Sequence, residues 1–152
     1  MVAVNRRVVE ASPEEVWDVL ADGWLYPLWV VGATRLRDVT GGWPSKGAKI
    51  HHSVGVWPLT LDDESEVLEV EPFKRLKLRA AAWPFGEATV TLHLHPTGVN
   101  TEVVIEEDAS SGPGKLVPEP VRRKMLKVRN VETLKRLAYV AENRSHGSAQ
   151  GS

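Results

Sequence analysis

One histidine in this chain combines proton-transfer chemistry with a position on an apolar face. His52 lies in an alternating stretch, residues 47–56, where it shares one side with Ile50 and Val54. A neutral imidazole facing an interior could orient a ligand carbonyl or move protons near neutral pH. The same alternation fits a half-buried structural histidine, and that is the interpretation we favour. His52 is therefore the first candidate for a catalytic or ligand-binding group.

A glutamate on a later predicted strand is the second candidate. Glu107 has the same parity as Val103 and Ile105 within residues 99–108, so its carboxylate could face a cavity and act as an acid or base. It also lies close to the predicted strand end, where water is near. We therefore favour a solvated carboxylate at the rim, and leave the catalytic role as the alternative.

The remaining clusters of titratable residues do not predict a metal site. His93 and His95 point away from the apolar face of residues 86–96, and no third ligand lies nearby in the sequence. The acidic stretch of residues 62–71 alternates over both faces of a predicted strand, which is typical of a solvated strand. The sequence gives no reason to expect a metal or a cofactor.

Composition and missing motifs exclude several classes of protein. The chain has no cysteine, and its 152 residues carry a net charge of -1, which does not favour nucleic acid as a partner. It lacks G-x-S-x-G, H-E-x-x-H, Walker and G-x-G-x-x-G patterns. No apolar run is long enough for an integral membrane segment, and residues 1–7 do not resemble a signal peptide. We expect a soluble cytoplasmic protein.

The elements that must position these side chains begin with a strand and two helices. Residues 2–10 alternate as a strand, and Ser12, Pro13 and Glu15 predict a capping box that starts a helix. Val16, Trp17 and Leu20 form the apolar face of that helix, with Trp17 expected in the core. Gly23 ends it, and a short aromatic helix follows over residues 24–31, interrupted by a proline.

From residue 34 the period changes to two, which predicts a series of strands. Their expected ranges are 33–39, 47–56, 59–71, 75–83, 86–96 and 99–108. The short, Gly- and Pro-containing connections require antiparallel neighbours.

A long final helix and a short tail complete the chain. The helix runs to about Asn143, with a predicted apolar seam at Val117, Val121, Met125, Val128, Val131, Leu134, Ala138 and Ala141. Residues 145–152 are small and polar and are expected to be disordered. We expect one α+β domain over residues 1–144, in which a curved antiparallel sheet of about seven strands wraps around the final helix and leaves a cavity.

Four stretches resemble the START-like, or SRPBCC, superfamily with its helix-grip fold, and in particular its polyketide cyclase/dehydrase-type branch. They are Ala11-Ser12-Pro13-Glu14-Glu15-Val16-Trp17, Tyr26-Pro27-Leu28-Trp29, Pro84-Phe85-Gly86 with residues 101–105, and residues 129–138. The resemblance implies a ligand cavity, but no shared catalytic motif. Superfamily members include polyketide cyclases, lipid carriers and coenzyme Q-binding proteins.

Parity and position then predict which side chains meet a ligand. Besides His52, the expected ligand-binding residues are Trp24, Tyr26, Trp29, Trp57, Leu78, Ala80, Trp83, Val90, Leu92, Val103, Met125, Val128 and Arg129. Ala80 would leave room opposite the large rings, or would equally let the helix pack closely. Some of the rings must be ordinary core. Arg129 and Asn130 lie off the predicted seam and reach a ligand only if the helix turns them inward.

The sequence therefore favours a binder of a hydrophobic small molecule, lipid-like or aromatic and polyketide-like. The alternative is a polyketide cyclase or dehydratase that uses a pocket acid or base, with His52 tested first and Glu107 second. A weaker alternative is a module that docks a partner protein. The basic residues of the final helix could bind acidic lipid or a phosphopantetheine carrier, although a solvated helix face is favoured. The oligomeric state is not predicted.

Overall fold

The structure is a computed structural model that describes residues 2–31, 33–56, 59–81, 87–111 and 118–150. The strands are β1 (Ala3–Val9), β2 (Ala33–Val39), β3 (Lys49–Val56), β4 (Leu59–Glu71), β5 (Arg75–Ala81), β6 (Glu87–Thr97) and β7 (Asn100–Ser111). The α-helices are α1 (Pro13–Ala21), α2 (Tyr26–Trp29) and α3 (Glu119–Gln150), and a 3-10 helix, Gly23–Leu25, joins α1 to α2.

The predicted capping box starts α1. The Ser12 hydroxyl accepts from the Glu15 amide at 3.2 Å, and the Glu15 carboxylate accepts from the Ser12 amide at 3.0 Å. These two bonds satisfy amides that otherwise lack partners at a helix start. Trp17 is buried in the core as predicted. At the other end, a Cβ on Gly23 would lie 2.7 Å from Cγ1 of Val39, so a glycine is required where the chain turns against β2.

All seven strands form one antiparallel sheet in the order β1-β7-β6-β5-β4-β3-β2. The first strand pairs with the last, while the other neighbours are consecutive along the chain. The curved sheet and the long C-terminal helix are the predicted helix-grip architecture. Pairing places Val90 opposite Glu107 and Leu92 opposite Ile105 on β6 and β7.

The buried face of α3 differs from the predicted seam. Met125 and Val128 are 45% and 65% exposed, whereas Leu126 and Asn130 are almost fully buried. The predicted seam combined two apolar rows that a straight helix does not align. At 3.6 residues per turn, Ala138 lies roughly 100° around the axis from Val121. The face toward the sheet consists of Leu126, Asn130, Thr133, Leu134, Leu137, Ala138 and Ala141.

The end of α3 also lies beyond the predicted boundary. Residues 145–150, expected to belong to a disordered tail, continue the helix to Gln150. Polar composition at a helix end does not by itself stop a helix that has already been nucleated and propagated. Within the described ranges, no helix combines the length and the apolarity that a bilayer-spanning segment needs.

Candidate functional site

A small cavity of about 40 Å³ lies between the sheet and α3. Its apolar wall comes from three directions. Leu78, Ala80 and Val90 contribute from β5 and β6, and Ile105 contributes from β7. Tyr26 and Trp29 of α2, followed by Val30 and Val31, close the side next to the helix. The helix α2 and the strand β7 contribute to one cavity because both pack against α3.

The polar part of the wall contains an ion pair between a buried carboxylate and a partly exposed guanidinium. Glu107 of β7 is 3% exposed, and its Oε1 accepts a hydrogen bond from Nη2 of Arg129 on α3. Asn130 and Thr133 of α3 line the cavity beside the pair. Two buried polar atoms of this group, Oε2 of Glu107 and Nδ2 of Asn130, have no hydrogen-bond partner within the described part of the chain. The cavity wall therefore contains one hydrogen-bond donor, on Asn130, and one acceptor, on Glu107, that could each bond to a ligand.

The favoured interpretation of Glu107 as a solvated rim carboxylate is wrong. β7 continues to Ser111 rather than ending at residue 108, so Glu107 lies inside the strand, opposite Val90. The helix then covers it with Arg129. A strand boundary read three residues too early was enough to move the carboxylate from water to the interior.

His52 lies deeper than the cavity. It is 1% exposed, and its Nε2 is 3.1 Å from Oγ of Ser65, which is 2.7 Å from the hydroxyl oxygen of Tyr26. The Tyr26 and His52 rings are 5.4 Å apart. Since Tyr26 lines the cavity and His52 does not, the tyrosine separates the imidazole from the open space. His52 is buried and hydrogen-bonded, as a structural histidine must be, and Ser65 links it to Tyr26 in the cavity wall.

The other predicted ligand-binding residues on the sheet divide between the cavity and the core. Leu78, Ala80 and Val90 line the cavity, as do Tyr26, Trp29 and Arg129. Leu92 and Val103 share the inward face but are fully buried in the core. They lie toward the end of the sheet that α1 packs against. The position of α1 at this end is shown by a hydrogen bond from Thr101 Oγ1, on the same strand as Val103, to the carbonyl of Ala11 just before the helix. The first helix fills that end of the sheet.

Three predicted ligand-binding residues face away from the cavity. Trp24, Met125 and Val128 are 62%, 45% and 65% exposed. Met125 and Val128 were placed by the seam that the structure corrects. Trp24 lies in the 3-10 helix, which turns its side chain outward before α2 turns Tyr26 inward. Trp57 and Trp83 lie outside the described residues.

Sequence reasoning missed part of the wall on α3. Asn130 was placed off the predicted seam and expected to reach a ligand only if the helix turned it inward, and Thr133 was not considered, yet the two residues are 2% and 6% exposed. The signal that could have found them is the spacing of Leu126, Leu134, Leu137 and Ala141, which continues through position 130 at helical intervals. A polar residue in the middle of an apolar row is the sign of a functional or packing requirement.

The outward histidines and the acidic strand form surface contacts. His93 and His95 stack with ring centroids 6.1 Å apart, and His93 Nε2 is 3.6 Å from a Glu106 carboxylate oxygen. Across the strands, Glu66 pairs with Arg79 at 3.1 Å and Glu69 with Arg75 at 3.2 Å. Among the residues described, no three His, Cys, Asp or Glu side chains are grouped so that they could hold a metal ion.

Solved structures similar to this chain share its fold. Protein NE0264 from Nitrosomonas europaea is 18% identical, with a TM-score of 0.70, covering 96% of this chain and 97% of that one. Ara h 8.0201 is 9% identical, with a TM-score of 0.69 and coverage of 94% and 98%. DynU16, a protein of the dynemicin biosynthetic locus, is 25% identical over 93% of this chain and 47% of its own, with a TM-score of 0.63.

No curated protein matches this chain in sequence. A family model does match, over residues 1–142, and that family is described as polyketide cyclase / dehydrase and lipid transport. The match spans α1, the whole sheet and α3 as far as residue 142, and it confirms the resemblance inferred from the motifs. The chain therefore belongs to the polyketide cyclase/dehydrase and lipid transport family.

Proposed function

We propose that this protein binds a hydrophobic small molecule, lipid-like or aromatic, between its sheet and α3. The family and the fold support a role of this kind. The sheet side of the wall is apolar apart from Glu107, and α3 adds the polar side chains of Arg129, Asn130 and Thr133 next to it, which suits an apolar ligand that carries one polar group. Pockets that bind small molecules generally have this composition.

The observation that carries the proposal is the buried pair of Glu107 and Arg129 next to Asn130. Removing two charges from water is costly, and a pair of apolar residues of similar volume often stabilises a protein as well or better. Stability alone therefore does not explain the pair. A donor on Asn130 and an acceptor on Glu107 would together recognise a ligand hydroxyl, which both accepts and donates.

The size of the cavity adds a condition to this proposal. The expected pocket of roughly 300–1,000 Å³ is typical for ligands, but the space between sheet and helix is about 40 Å³ and is partly open to the outside. Tyr26, Trp29 and Arg129 occupy much of the space between sheet and helix. A ligand larger than one or two waters must therefore displace part of the wall or extend out through the open side of the cavity.

The test is native mass spectrometry of freshly purified protein, followed by extraction and identification of any bound molecule. We expect an apolar compound with a hydroxyl or carbonyl group. Ala80→Trp, which fills the space beside Leu78, should abolish its retention. Val99→Trp at the exposed β6–β7 turn is the control and should retain it. If no compound is retained, and a panel of lipids and polyphenols produces no thermal shift, the proposal is wrong.

A second candidate function is a polyketide cyclase or dehydratase, favoured by the Oε2 atom of Glu107. One carboxylate oxygen is held by Arg129 and the other has no partner in the described part of the chain. This arrangement leaves a positioned base or acid at the cavity wall. The similarity to a protein of the dynemicin locus is consistent with it.

Glu107→Gln separates the two functions, because it keeps the shape and removes the acid–base chemistry. An enzyme should lose turnover of a poly-β-ketone substrate by roughly 100-fold or more while retaining ligand affinity. A carrier has no turnover to lose. His52→Ala, at the buried histidine, should affect turnover less than Glu107→Gln if the carboxylate is the reacting group.

A further inference from the structure

The N-terminal half of α3 carries a row of apolar side chains on the face opposite the cavity. Val121, Met125 and Val128, here called the outer row, are 51%, 45% and 65% exposed. Their spacing of four and three residues aligns them along one side of the helix. Scattered exposed apolar residues are ordinary, but a contiguous row is typical of a surface that contacts another body.

Unpaired positive charge flanks the outer row. Lys124 and Lys127 are exposed, and neither forms an ion pair with any residue that the structure describes. The two glutamates of α3 nearest the outer row each pair with an arginine one turn away, Glu119 with Arg123 at 2.7 Å and Glu132 with Arg136 at 3.0 Å. The third glutamate of the helix, Glu142, lies more than three turns beyond the outer row and accepts a hydrogen bond from the Glu10 amide. The free charge beside the row is therefore positive, and a complementary surface must be negative.

We propose that this face of α3 docks on an anionic phospholipid surface. The outer row would enter the boundary between headgroups and acyl chains, and the two lysines would lie at the lipid phosphates. A second copy of the chain is a poorer occupant, because two such faces would bring lysines against lysines. The outer side of a single helix is also convex, which suits a yielding bilayer better than a protein partner without a groove.

The docking face and the cavity wall lie on opposite sides of the same helix segment. Arg129 and Asn130 line the cavity, while Val128 faces outward. Docking through the outer row would leave the cavity residues in place and bring the cavity within one helix diameter, about 10 Å, of the lipid surface. The docking proposal does not depend on what the cavity binds.

Sedimentation of the full chain with vesicles tests the proposal. One set of vesicles is phosphatidylcholine alone, and the other contains about one quarter phosphatidylglycerol. We expect binding to the anionic vesicles that weakens as salt is added. Each lysine near an anionic surface contributes about fivefold in partitioning, so Lys124→Gln with Lys127→Gln should lower it roughly 25-fold. Met125→Glu should lower it by about tenfold or more.

Matched controls come from exposed positions away from α3. Val99→Glu, at a turn residue that is 86% exposed, and Lys46→Gln should leave partitioning unchanged. The proposal is overturned if the wild type binds neither vesicle, binds both equally, or binds no better than Met125→Glu. It is also overturned if light scattering shows a wild-type dimer that Met125→Glu converts to a monomer, because the outer row then meets a second copy.

Discussion

Glu107 and Arg129 place two opposite charges where most neighbouring side chains are apolar. The Glu107 side chain is 4% exposed and that of Arg129 is 20% exposed, so the carboxylate depends on the guanidinium much more than the reverse. Removing the guanidinium would leave an uncompensated negative charge in the interior. Both residues of the pair line the cavity directly, so they would contact a molecule bound there.

Arg129→Met should therefore lower the free energy of unfolding by about 3 kcal/mol, because Glu107 loses its partner. The double variant Glu107→Leu with Arg129→Met should recover most of this loss. Urea denaturation at neutral pH measures both. The control is Arg136→Met, which breaks an exposed pair with Glu132 and should change stability by less than about 0.5 kcal/mol. A loss as small as the control's in Arg129→Met would mean that Glu107 is solvated.

The long helix has two apolar faces on opposite sides. Its inward face packs on the sheet and supplies Arg129, Asn130 and Thr133 to the cavity, while its outward face carries the outer row. Helices that pack on one side usually have one apolar stripe. The second stripe is the reason that periodicity alone placed Met125 and Val128 in the cavity.

Two neighbouring alanine substitutions test the rotation of α3. Leu126 is fully buried, so Leu126→Ala should cost about 2–5 kcal/mol by leaving a cavity in the core. Val128 is 65% exposed, so Val128→Ala should stay within about 0.5 kcal/mol of the wild type. Thermal or urea unfolding of the two variants measures the difference. Equal losses, or a larger loss at Val128, would contradict the observed buried face.

Taken as a whole, the molecule is one sheet closed by helices at both ends of its inner face. α1 fills the end near Leu92 and Val103, and α2 and α3 enclose the smaller space at the other end. Because this space is about 40 Å³ and partly open, a larger molecule could fit only if it extended out of the cavity or if the wall moved. If the wall moves, the free energy needed to open the closed state is subtracted from the free energy of ligand binding, so a more stable closed state lowers the affinity.

A ligand that binds the folded chain should raise its melting temperature. At about 100 times the dissociation constant the gain is about 2.7 kcal/mol, which for a chain of this length corresponds to roughly 5–11 °C. Differential scanning fluorimetry with 1-naphthol as an aromatic probe and decanoate as a lipid-like probe measures this shift. Ala80→Trp should remove the shift, and Val99→Trp should preserve it. A shift that persists in Ala80→Trp would place the ligand outside the cavity.

The sequence by itself determined the features that depend on neighbours along the chain. The capping box at Ser12, the alternation of the strands and the antiparallel order follow from local spacing and short connections, and the structure confirms them. The four stretches that resemble the START-like superfamily were enough to identify the family from the sequence. Inward parity also placed His52, Leu78, Ala80 and Val90 in the interior correctly.

Only the tertiary structure decided where the cavity lies and which polar residues line it. Glu107 became buried because β7 extends past it in its pairing with β6 and because Arg129, 22 positions further along the chain, covers it. The sequence did not determine the rotation of α3 about its own axis, because the helix has two apolar rows. Only packing against the sheet selects which row is buried. Local spacing specifies which side chains share a face, but burial depends on what the rest of the chain places against that face.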